Sequence, residues 1–126
     1  MSWQDYIDKQ LIGSSCVKEA AICGLDGNVW ARSGEFAVTK DEVSALLAGM
    51  KDSSQFYANG VRIAGKRYIY LSGSDNVVRA RKEVAGLHCA KTSQAVIIAV
   101  YEEPIKPQQA ASVVESLGDY LTKCGY

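Results

Sequence analysis

Two kinds of residue in this chain could carry out chemistry. The first is the set of four cysteines, Cys16, Cys23, Cys89 and Cys124, with a single histidine, His88. Thiolates and imidazole can hold zinc, but they do so from closely spaced pairs that wrap one tetrahedral ion. No C-x-x-C pair is present, so the spacing argues against a metal site, and reduced thiols filling small core positions are the better reading. His88 adjoins Cys89, as an activated thiol would require, yet neighbours on a strand point to opposite faces. With no nucleophile motif and no glycine-rich phosphate loop, neither an enzyme nor a cofactor is expected.

The second kind recognises rather than reacts. Trp3 and Tyr6 lie close to one end of the chain, Tyr120 and Tyr126 close to the other, and Trp30 between them. Chain ends fray unless something ties them down, so aromatics placed there must pack inward or meet a ligand. Charge is also unevenly placed. The chain has 14 basic and 14 acidic residues. Half of the basic ones, Arg62, Lys66, Arg67, Arg79, Arg81, Lys82 and Lys91, fall between positions 62 and 91, against the acids Asp75 and Glu83. A local positive field steers anionic partners even when net charge is zero. The plainer alternative is that these cations only guard strand edges against pairing.

The elements that must position these residues can be read from pattern and punctuation. Ser2 with Asp5 caps a short helix whose Trp3, Ile7 and Leu11 share a face and which ends near Gly13. VKEAAICGL and NVWAR, joined at Asp26-Gly27, read as a hairpin. Thr39 with Glu42 caps a second helix with Val43, Leu46, Leu47 and Met50 inward, brought to an end by Gly49 and the loop Asp52-Ser53-Ser54. VRIAG, RYIYLSG, NVVRARK, GLHCAK and QAVIIAVY follow as an antiparallel meander, the last apolar enough to be buried on both faces. A final helix starts near Pro107, with Ala110, Val113, Val114, Leu117, Leu121 and Cys124 on one face and Tyr120 at its edge, and Gly125 stops it.

The 126 residues make a single domain with an α+β fold. It has a central antiparallel sheet of about seven strands, with the N- and C-terminal helices packed together on one face and a further helix on the other. Placing both terminal helices on one face brings Trp3, Tyr6, Tyr120 and Tyr126 together, and the hairpin adds Trp30. A single internal aromatic such as Trp30 is most simply a core residue. The set is harder to explain that way, since Trp3 and Tyr6 are about 60° apart on their helix. A surface groove of parallel rings with N–H and O–H groups available matches a proline-rich ligand. Such segments preform a polyproline II helix, their flat rings stack on aromatics, and their carbonyls accept from indole and phenol.

SWQDYID, AAICGLDGNVWA, NGVRIAGKRYIYLSGSD and QQAASVVESLGDYLTKCGY together resemble profilin, and the resemblance runs from Ser2 to Tyr126. The pattern is closer to invertebrate and general eukaryotic members than to the longer vertebrate form. The resemblance implies binding of monomeric actin, of proline-rich segments of cytoskeletal regulators, and of anionic phosphoinositides. It places polyproline binding on Trp3, Tyr6, Trp30, Tyr120, Leu121 and Tyr126. Tyr120 stands where some vertebrate members have histidine, which keeps a stacking ring with a polar tip. Actin contacts fall on Arg67, Arg79, Arg81, Lys82, His88, Lys106, Gln108 and Ser112, and phosphoinositide contacts on Arg79, Arg81 and Lys82. It further implies regulation of actin polymerisation and nucleotide exchange by a cytoplasmic, cytoskeleton-associated monomer. The alternative is a polyproline-binding adaptor without actin binding. A nucleic-acid binder is disfavoured, because the cations and the aromatics lie on different segments instead of interleaving.

Overall fold

The computed structural model describes residues 2–126. Seven strands, β1 (Glu19–Gly24), β2 (Val29–Arg32), β3 (Val61–Ile63), β4 (Lys66–Gly73), β5 (Val77–Lys82), β6 (Ala85–Lys91) and β7 (Ala95–Glu102), form one antiparallel sheet in the order β2-β1-β7-β6-β5-β4-β3. The helices are α1 (Trp3–Asp5), α2 (Lys40–Lys51), α3 (Ser54–Asn59) and α4 (Pro107–Lys123). Both expected capping boxes are present, Ser2 with Asp5 and Thr39 with Glu42.

Side-chain alternation along β7 divides the interior into two cores. Ala95, Ile97 and Ala99 point toward the terminal helices, where Ile7 and Leu11 meet Val114, Leu117 and Leu121. Val96, Ile98 and Val100 point the other way, toward Val43, Leu46 and Met50 of α2 and Phe56 of α3. Burial on both faces explains the unbroken apolar run.

Three details depart from the sequence reading. The N-terminal helix is α-helical for one turn only, continues as π-helix over Tyr6–Leu11, and finishes in a 3-10 turn, Ile12–Ser14. Ile7 and Leu11 still face inward. Next, Gly49 does not end α2. It lies inside that helix, because a Cβ there would come within 2.2 Å of the Phe56 ring, so glycine makes room for the buried phenyl. The expected loop at 52–54 instead leads into α3, with the Asp52 carboxylate accepting from the Ser54 N–H (3.1 Å) and hydroxyl (2.7 Å). Finally, Cys124 is exposed beyond the end of α4 and Cys16 is half-buried, so only Cys23 and Cys89 are core thiols.

Candidate functional site: an aromatic cluster and a cationic sheet face

The five rings do meet, and Trp3 is at their centre. Its centroid is 4.7 Å from Trp30, 5.0 Å from Tyr126 and 5.7 Å from Tyr6, and Tyr6 is 6.2 Å from Tyr120. The capping box at Ser2 fixes the first turn that carries Trp3. Gly24 leaves space for the Trp30 indole, since a Cβ there would lie 2.9 Å from its Nε1. The rings are tilted at 44° to 87° to one another, so they form a faceted surface rather than the parallel stack expected. Trp3, Tyr6 and Trp30 rest half-buried on the terminal-helix core, whereas Tyr120 and Tyr126 are 49% and 43% exposed. Leu121 is fully buried, a floor beneath the rings and not part of the accessible surface. The Tyr120 phenol is held above its ordinary value, first by the neighbouring Cys124 and then by Tyr6.

The expected cationic patch is divided by strand alternation. Arg79 and Arg81 point to the terminal-helix side of the sheet, where Arg81 is opposite Gly86 and near Tyr101. Lys82 points to the other side, beside Glu19, Lys66 and Tyr68. Arg67 shares the outer face with Arg62, its register partner, and its Nε donates to the Asn59 carbonyl (3.0 Å). Arg81 is bonded to Glu103 (2.9 Å). Lys106, Gln108 and Ser112 are exposed at the start of α4, where the Lys106 N–H donates to the Gln109 side chain (2.8 Å).

His88 is not on this surface, contrary to its assignment as a contact residue. It is 2% exposed beneath α4, because β6 is covered on both faces. Its Nε2 is 3.0 Å from a Glu115 carboxylate oxygen, though too poorly aligned to count as a formed hydrogen bond. Burial holds the imidazole below its ordinary value, with Glu115 opposing and Arg79 reinforcing that shift. The thiols of the sheet offer no nucleophile: burial pushes Cys23 up to about 12 and Cys89 up as well. No cluster of three or more metal-ligating side chains occurs among the described residues.

The structure adds two apolar residues to the cationic face. Ile69 and Leu71 are 65% and 57% exposed on β4, and Ile69 is the register partner of Arg81. Alternation in RYIYLSG carried the signal, since Tyr68 points inward and Ile69 must then point outward.

In sequence and fold the chain is similar to known proteins. A family model described as Profilin matches residues 1–126. The chain is 61% identical to profilin of Bombyx mori and 60% identical to profilin of Drosophila melanogaster, each over 126 residues and the full length of both chains. The crystal structure of Acanthamoeba castellanii profilin II, 45% identical, superposes with a TM-score of 0.95 over 99% of this chain and 100% of the other. With one fold, one domain-length match and relatives aligned from end to end, the chain belongs to the profilin family.

Proposed function

We propose that the chain is a bivalent actin-monomer carrier that works by binding, without catalysis. The observation that carries this reading is the cluster of five rings built from both terminal helices and the first hairpin. Two of its rings are exposed and three are anchored, which is how a stacking platform for a polyproline II ligand would be arranged. A monomeric actin would bind the outer face of β4 and β5 with the start of α4, through Arg67, Arg79, Arg81, Lys106, Gln108 and Ser112. Exposed Ile69 and Leu71 beside these cations would supply an apolar centre to that contact.

The two surfaces share only α4, at its opposite ends, so one chain could hold actin and a proline-rich protein together. Tethering then raises the local actin concentration near a growing filament end. Actin bound on this face would be blocked from pointed-end nucleation but free for barbed-end addition, with nucleotide exchange favoured by a more open cleft. Phosphoinositide headgroups would compete for Arg79 and Arg81, and the protein would act in the cytoplasm, at the cytoskeleton and the inner membrane surface.

Two titrations test the reading. Monomeric actin should bind the chain with and without a proline peptide present. If the peptide binds and actin does not, the protein is a polyproline adaptor only. If actin displaces the peptide, the two-surface arrangement is wrong.

A further inference from the structure

Tyr126 meets Trp3 edge-on although it lies beyond the end of α4. Two sets of bonds place it there. α4 ends in a Schellman motif, with Gly125 left-handed (φ 94°), its N–H donating to the Thr122 carbonyl (3.1 Å) and the Tyr126 N–H donating to the Leu121 carbonyl (2.8 Å). This motif turns the chain back at the helix end but does not attach it to the sheet. The attachment comes from the turn between β6 and β7. The Thr92 hydroxyl donates to the Tyr126 main-chain oxygen (2.7 Å), the Gln94 backbone N–H donates to the same oxygen, and the Gln94 side-chain amide donates to the Gly125 carbonyl (3.0 Å). Thr92 is buried and also accepts from the Ala95 N–H (3.1 Å), so the hydroxyl that closes the turn also holds the residue carrying the outermost ring.

We propose that Thr92 and Gln94 are positioning residues of the aromatic groove: they hold the chain at 125–126 against the sheet so that the Tyr126 ring stands ready beside Trp3. The inference rests on reading the cluster as a proline-rich ligand site. Neither residue need contact the ligand. Their role is to spare the ligand the entropic cost of ordering the Tyr126 segment.

The test is a titration of the intact chain and its variants with a ten-residue proline peptide, each variant's melting curve being recorded in parallel. One hydrogen bond at a partly exposed site corresponds to roughly a two- to tenfold change in affinity. Gln94→Ala, an exposed site, should weaken binding about two- to threefold with an unchanged melting temperature. Thr92→Val should weaken it about five- to tenfold, and Thr92→Ser should restore it. In a Tyr126→Ala background neither substitution should weaken the peptide further, because the ring they position is gone. The same fold loss with and without the Tyr126 ring, or unchanged affinity in both variants, would overturn the inference while leaving the groove intact. Failure of the unsubstituted chain to bind the peptide would overturn the groove reading and the inference with it.

Discussion

Replacing Trp3 by alanine removes the one ring that touches three others. Its neighbours lie at 4.7 Å (Trp30), 5.0 Å (Tyr126) and 5.7 Å (Tyr6). Aromatic pairs contribute about 0.5–1.5 kcal/mol each, and partial exposure puts these near the lower end, so the free chain should lose about 2 kcal/mol of stability. It should stay folded. Ile7 and Leu11, both fully buried, keep the N-terminal helix docked, and the α2-side core has no contribution from Trp3. A proline-rich ligand loses its central stacking partner, and a central anchor of that kind is worth about 2 kcal/mol or more, close to a 30-fold loss of affinity. Since the chain has two tryptophans, Trp30 becomes the sole indole in the variant, and its emission reports on the remaining groove. Calorimetric titration with a proline peptide gives the affinity, and a melting curve shows the chain folded at the titration temperature. A folded variant whose affinity stays within about twofold of the original would refute the assignment of Trp3 as the anchor.

Arg79→Glu with Arg81→Glu should reduce actin and phosphoinositide binding about tenfold or more, steeply dependent on salt, whereas Lys82→Glu, on the other face, should cost less than about threefold; equal effects in vesicle and actin titrations would contradict the division of the patch. His88 is held below its ordinary value of 6.5 in the folded chain, so its contribution to stability is complete above that pH and lost as pH falls through the lower folded value. Melting curves from pH 7.5 to pH 5 should therefore show a decline that His88→Gln flattens, and an equally steep decline in that variant would sink the assignment. Gly49→Ala should cost about 1–3 kcal/mol through overpacking against Phe56, offset by the roughly 1 kcal/mol that alanine adds to a helix, for a net loss of up to about 2 kcal/mol; a raised unfolding midpoint in urea would show that the ring can move aside.

Much of the fold was legible in the chain because its signals are local. Ser2 with Asp5 and Thr39 with Glu42 mark helix starts through bonds made within four residues, and alternation in the meander exposes strand after strand. The aromatic cluster was also legible, because two terminal helices with one apolar stripe each can be covered on the same face of the sheet. What escaped notice depends on tertiary partners. Gly49 reads as a helix stop until Phe56 is known to occupy the space of its missing side chain. His88 reads as an available ligand until α4 is laid over it. The division of Arg81 from Lys82 follows from alternation alone, but a patch defined by charge overlooks which way each side chain points. The tilt between the rings is set by packing on a shared core and has no counterpart in spacing.

The Glu42 side chain does more than complete a cap. It accepts from the N–H of Thr39 (3.0 Å) and also from those of Ala64 (2.9 Å) and Gly65 (2.8 Å) in the β3–β4 turn, joining α2 to the sheet edge farthest from the rings.

The rings themselves come from opposite ends of the chain, and synthesis separates them in time. At roughly 5 to 20 residues per second, about 5 to 20 s pass between the addition of Trp30 and that of Tyr120. During that interval a nascent chain holds Trp3, Tyr6 and Trp30 but none of the partners that α4 brings, and an incomplete product ending anywhere in β7 has the same deficiency. If the proposed groove needs all five rings, it would take a proline-rich ligand only once the last turn has been made and folded back against the sheet.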